Sequence, residues 1–227
     1  MKKIIIYTTN DQVLSLKLVN NIVSSNYLKD YYIDIILTNP NFFRKLKILI
    51  VMIFFGSLRN FFAHTRDKIS IEKIIKENKN CRIIRDLDSK DYNFGLSVYC
   101  SSKIQVEKFK IYNFHLGNLN YQRGSFIFFY KFIKNWNKVN LTFHEISNKF
   151  DVGKIINERE IKLRENCFAS DIFFIYLKNL DFLIESIKKI DHTSTKEYKK
   201  FDKLNLVPSF PRLFKDIAVF LLQKNRS

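Results

Sequence analysis

The sequence predicts an α/β fold, a mostly parallel twisted sheet flanked by helices, followed by a short helical C-terminal extension. Three observations predict it. Residues 3–8 (KIIIYT) and 94–99 (FGLSVY) are short, continuous apolar runs, as strands buried on both faces are. Between the first run and the β-rich segment 32–38, Leu14, Leu18 and Ile22 recur every four residues beside Val19, which is an amphipathic stripe. A strand, a helix and a strand in that order argue for parallel pairing.

Taken in order, Asn10 or Asp11 is placed to N-cap a helix over 11–24. The turn before it, Thr8-Thr9-Asn10-Asp11-Gln12, lacks the glycines that let a backbone close on phosphate, so no phosphate site is expected there. After Asn39-Pro40 the pattern predicts a long helix over 42–65 and a second over 70–77. A short strand, 82–85, and a charged loop, 86–91, lead to the buried strand 94–99. The run 48–55 (ILIVMIFF) falls well short of the ~20 residues a bilayer span needs. Arg44, Lys45, Lys47 and Arg59 flank it, and it reads as a buried or interface helix.

Residues 111–156 carry the chemistry. Asn113 and His115 stand two apart at the end of a strand, so their side chains share one face. A helix over 125–135, a strand over 139–146 and a turn over 148–153 bring Asp151 back toward them before a strand over 154–163. Asn, His and Asp suit acyl transfer to an amine: an amide donates to an oxyanion, and His and Asp move or steady protons. Singly, each has an ordinary structural reading, as strand-end histidine, turn aspartate or turn cap.

Beyond 163, residues 166–190 read as one amphipathic helix, 191–202 as a polar loop, 207–211 as a turn and 213–222 as a final helix. Hydrophobic residues at 46% suffice for a core, and 227 residues fit one domain of ~100–200 residues with a small extension. The net charge of +17 suits anionic partners, but the lysines are spread along the chain and no nucleic-acid motif appears. Three widely spaced cysteines, Cys81, Cys100 and Cys167, form no metal or disulfide pattern and read as reduced thiols of a cytoplasmic chain. The start, Met1 to Ile6, is too short an apolar run for a signal peptide. Stable membrane insertion is not expected.

The 111–156 stretch resembles the catalytic half of the folate-dependent formyltransferase family. That family has Asn-x-His at a strand end, a loop ending in Arg-Gly, and a hairpin with Asp-x-Gly-x-Ile. Here these stand in order as Asn113/His115, Arg123-Gly124 and Asp151-x-Gly153-x-Ile155, with His144 matching a histidine seven residues before the aspartate. The loop at 116–120 lacks the proline common in the family. The resemblance spans 1–163 and is weaker before Phe94.

It implies a Rossmann-like catalytic domain over 1–163 and a helical extension over 164–227. It implies Asn113, His115 and Asp151 as catalytic residues, with no metal. The formyl donor, 10-formyltetrahydrofolate, would lie against Tyr99, Cys100, Ser101 and Ile104 on one side. Ser147, Asn148, Lys149 and Phe150 would line the other. Three branches compete for the acceptor. The glycine-poor first turn disfavours glycinamide ribonucleotide, and the helical tail disfavours methionyl-tRNA. The branch that formylates nucleotide-linked amino sugars remains, with a dTDP-4-amino-4,6-dideoxyhexose favoured, O-antigen biosynthesis as context, and a homodimer allowed. Non-catalytic alternatives are a nucleotide-sugar binding protein and, more weakly, a basic RNA-binding protein.

Overall fold

The computed structural model describes residues 2–9, 13–39, 42–56, 58–66, 70–87, 91–100, 104, 109–147, 151–190 and 204–224. The sequence-predicted caps Asn10 and Asp11 lie outside them, as do the polar loop 191–202 and part of the charged loop 86–91. Strand β1 (Lys2–Thr9) is central and buried from Ile4 onward. Helix α1 (Val13–Val23) returns the chain to β2 (Tyr31–Thr38), which pairs parallel with β1. Helices α2 (Phe42–Phe55), α3 (Leu58–Arg66) and α4 (Ile71–Glu77) lead to β3 (Cys81–Ile84) on the outer edge of β2. Strands β4 (Phe94–Val98) and β5 (Ile111–Leu116) continue the parallel sheet on the other side of β1. Helix α5 (Ile127–Ile133) precedes β6 (Lys138–Glu145) and β7 (Ile155–Lys162), which pair antiparallel. The order is β3-β2-β1-β4-β5-β6-β7, the mostly parallel α/β sheet the sequence predicts.

The expected helix over 42–65 is two helices. The α2 pattern stops at Gly56, a poor helix former, and α3 begins at Leu58. Helix α2 buries Ile48, Val51, Met52 and Phe55 and leaves Phe42, Phe43, Ile53 and Phe54 exposed. No helix among the described residues is long and apolar enough to cross a membrane.

The expected helix over 166–190 is also broken. It becomes α6 (Ala169–Phe173), a 3₁₀ turn (Ile175–Lys178) and α7 (Leu180–Lys188). Asn179 turns its side chain back onto the Ile175 carbonyl at 2.9 Å, a local bond that competes with helix continuation. The final helix, α8, runs Phe210–Lys224. The helix after Ser125 is shorter than expected because Phe126, at φ +64°, stands outside it.

Alternation divides the sheet into two faces. Ile4, Ile6, Leu96, Tyr112, Phe114 and Phe143 face the larger core, where Phe129, Phe174, Tyr176, Phe182, Leu213 and Ile217 pack from the helical side. Residues from beyond 163 thus belong to the same core as the central strands. The opposite face holds a smaller cluster of Ile5, Tyr7, Ile84, Tyr92, Phe109 and Ile111. At its edge lies Asp34, fully buried, with Arg82 Nε at 2.7 Å, Lys3 Nζ at 3.0 Å and the Tyr92 hydroxyl at 2.6 Å. Burial pushes that carboxyl up, and its three partners outweigh burial to hold it below the ordinary carboxylate value.

Strand order reverses between β1 and β4, and ligands of open α/β sheets bind outside carboxyl ends at such a point. Threonines lace those ends together. Thr8 Oγ1 donates to Val98 O, Thr9 Oγ1 to Tyr99 O and Thr38 Oγ1 to Thr8 O, at 2.9, 2.9 and 3.1 Å.

Candidate functional site

On β5, Tyr112 and Phe114 face the larger core, so Ile111, Asn113 and His115 face the other way. Asn113 is half-buried and His115 buried. The antiparallel partner β6 sets His144 opposite Asn113 and Thr142 opposite His115. His144 Nε2 lies 3.3 Å from Asn113 Nδ2, and His144 Nδ1 lies 3.0 Å from the Glu145 carbonyl. A carbonyl only accepts, so Nδ1 carries the hydrogen and Nε2 is left as acceptor for the Asn113 amide. Burial pushes the His144 imidazole down to about 4; the Asp151 carboxylate opposes this and the neighbouring His115 adds to it. A neutral, single-tautomer His144 is the result near pH 7.

His115 is held at both ring nitrogens. Nε2 lies 2.9 Å from the Gln122 carbonyl and Nδ1 lies 3.4 Å from Asp151 Oδ1. Both neighbours are acceptors, and each faces a ring nitrogen of His115. Tyr176, in the 3₁₀ turn, donates its hydroxyl to the His115 carbonyl at 2.7 Å and fixes the main chain. Asp151 stands at φ +48°, a left-handed conformation that Asp tolerates better than most residues. Its second oxygen accepts the Gly124 N–H at 2.6 Å. The following Gly153 lies so close to the Glu145 carbonyl that a Cβ would collide with it.

The proline-free loop is fixed by amides. Asn118 N–H donates to Gln122 Oε1 at 3.0 Å, Gln122 Nε2 to Lys138 O at 2.8 Å, and Gln122 N–H to Asn118 O at 2.8 Å. Asn118 and Asn140 both donate side-chain N–H to Glu158 Oε1, at 2.9 and 3.0 Å. Gly117, at φ +135°, lies where a Cβ would collide with the Gln122 carbonyl, the group that His115 holds.

The structure therefore brings together Asn113, His115 and Asp151, and adds His144. Of the expected donor contacts, Tyr99 turns its ring into the core, edge-on to Tyr176, with its hydroxyl 3.5 Å from Phe173 O. Only its main chain is left to face the rim. Cys100 and Ile104 are half-buried beside the smaller cluster, and Cys100 Sγ lies 3.7 Å from Thr38 Oγ1. Ser147 Oγ donates to Val152 O and closes the turn. Ser101, Asn148, Lys149 and Phe150 lie outside the described residues. Gln122, Glu158, Tyr176 and Asn205 are site supports that sequence reasoning missed. None lies in a recognisable spacing, and their roles come from long-range hydrogen bonds.

No family model and no curated protein sequence matches this chain. Solved structures do. The N-formyltransferase from Helicobacter canadensis, in complex with folinic acid and dTDP-3-aminofucose, superposes with a TM-score of 0.60 at 18% identity, over 99% of this chain and 82% of that one. A 4-N formyltransferase from Francisella tularensis gives 0.57 at 19% identity, over 91% and 76%. HypX from Aquifex aeolicus gives 0.57 at 13% identity over 91% of this chain, which spans only 30% of HypX. The chain has the fold that these three proteins share.

Proposed function

We propose that this protein moves a formyl group from 10-formyltetrahydrofolate to the amine of a nucleotide-linked amino sugar, a dTDP-4-amino-4,6-dideoxyhexose being favoured. The observation that carries the reading is the cluster of Asn113, His115, Asp151 and His144 in a fold of this kind. The residues fit an acyl donor: a half-buried amide N–H sits beside a buried His115 that faces the half-buried Asp151. Residues 1–163 supply the groups that touch substrate, and 164–227 supports them.

Bound 10-formyltetrahydrofolate would supply the electrophilic formyl carbon. Attack by a neutral amine forms the C–N bond and places charge on the formyl oxygen. The Asn113 amide has two hydrogens; His144 takes one, and the other is the donor for that oxyanion. The Asp151 carboxylate, oriented by His115, receives the amine proton, directly or through water. Breaking the bond to the folate nitrogen returns the electron pair to that nitrogen, which takes up a proton.

The test combines binding and turnover. Saturating 5-formyltetrahydrofolate should raise the melting temperature by mass action, and the absence of any shift would overturn the reading. Purified protein should then formylate a dTDP-4-amino sugar and leave methionyl-tRNA and glycinamide ribonucleotide unchanged. A dTDP-3-amino sugar is the necessary comparison, because the Francisella protein is a 4-N formyltransferase and the Helicobacter protein holds dTDP-3-aminofucose.

A further inference from the structure

We propose that Asn205 is a positioning residue for the Asp151 carboxylate, acting through the peptide between Arg123 and Gly124. Its kinetic consequence rests on the functional reading above; its structural link does not.

Asn205 is buried, at 4% exposure, although asparagine is usually exposed. It belongs to no helix or strand and forms an isolated parallel bridge to Gly124. Its main-chain N–H and its side-chain Nδ2 both donate to the Arg123 carbonyl, each at 2.9 Å. Its own carbonyl accepts the Ser125 N–H at 2.9 Å. Lys134 Nζ, 2.6 Å from Asn205 Oδ1, orients the side chain so that Nδ2 faces Arg123. Next along the chain, the Leu206 carbonyl accepts the Tyr130 hydroxyl at 2.7 Å.

The Arg123 carbonyl and the Gly124 N–H are the two ends of one peptide. Asn205 holds the oxygen end with two donors, and Asp151 Oδ2 takes the N–H end at 2.6 Å. A peptide is planar, so fixing the oxygen fixes the direction of the N–H across from it. Two donors on the carbonyl also polarise the unit and strengthen its N–H as a donor. Asp151 Oδ1 in turn faces His115. Gly124 is required between them: it stands at φ +98°, and a Cβ would collide with the Asn205 carbonyl. A residue far along the chain thereby sets the carboxylate that faces the site's histidine.

The experiment uses the full chain with Asn205→Ala and Asn205→Asp. The second keeps the side chain's size and its acceptor for Lys134, but loses the donor to Arg123. Amide hydrogen exchange at Gly124 should quicken in both variants, while exchange in β1 and β4 stays as in the wild type. An unchanged Gly124 amide overturns the proposal. With 10-formyltetrahydrofolate and a dTDP-4-amino sugar, kcat should fall by about ten- to a hundredfold, with KM for the donor within about twofold. On an Asp151→Asn background, Asn205→Ala should cost almost nothing further. A full additional loss there overturns the route through Asp151. Wild-type protein that transfers no formyl group, with the Gly124 amide still released in Asn205→Ala, overturns the functional reading and supports the link.

Discussion

Nε2 of the buried His144 lies 3.3 Å from the side-chain nitrogen of Asn113, its register partner across β5 and β6. The pairing commits one amide hydrogen and aims the other. His144→Asn removes an acceptor at that position, and a neutral hydrogen bond is worth about 1 kcal/mol, so kcat should fall roughly fivefold. His115→Asn should cost more, about 10²–10³, because it removes the ring that orients the proton-accepting Asp151 carboxylate. Steady-state kinetics on both variants, with folding checked by circular dichroism, decides the order. A deadlier His144→Asn would exchange the roles of the two histidines.

The same residue sets a pH dependence of stability. His144 titrates at about 4 in the folded chain against an ordinary 6.5, so between those values the unfolded chain binds the extra proton. Stability therefore rises with pH through that window and is lost as pH falls from 6.5 toward 4, by on the order of 3 kcal/mol. Urea unfolding at stepped pH should show the slope in wild type and a flatter one in His144→Phe. Identical slopes would place the titration elsewhere.

Asn113, His115 and Asp151 should behave as a unit. Each single alanine variant should fold and lose most turnover. The double variant His115→Ala/Asp151→Ala should be hardly worse than the poorer single, since either change dismantles the same His115–Asp151 contact. Multiplicative losses would mean that the two residues act on separate steps.

Asp34 tests the opposite face. Its carboxyl is held low by Arg82, Tyr92 and Lys3 against the effect of burial. The stability it contributes is present above the unfolded carboxylate value of ~3.9 and is lost as pH falls through its lower folded value. That window lies below the His144 window, so the two are separable in one titration. Asp34→Asn leaves Lys3 and Arg82 facing a neutral amide and should cost roughly 2–3 kcal/mol at pH 7, with catalysis intact. A stability change under ~0.5 kcal/mol would show the cluster to be as weak as a surface pair.

Local pattern carried much of the fold. The apolar runs at Ile4–Ile6 and Phe94–Val98 cannot be satisfied on a surface, so they read as central strands, and the sheet places them there. Alternation along β5 likewise puts Asn113 and His115 on one face by spacing alone. Helix ends were less legible. Apolar periodicity ran through Gly56 and past Asn179, where backbone cost and a local side-chain bond break the helix.

What the sequence by itself determined was the set of candidate side chains and the strand and turn that carry them, because spacing within one element fixes direction. What only the tertiary structure decided was how those side chains are held. The neutral tautomer of His144 depends on the Glu145 carbonyl and on burial. The ring of His115 depends on Gln122, and the carboxylate of Asp151 on Gly124 and, through it, Asn205. Each of the last three supports lies on a segment other than the one it holds. Hydrogen bonds made by loops have no period, so no stripe or spacing in the chain announces them; they exist only once the sheet and its helices have brought the segments together.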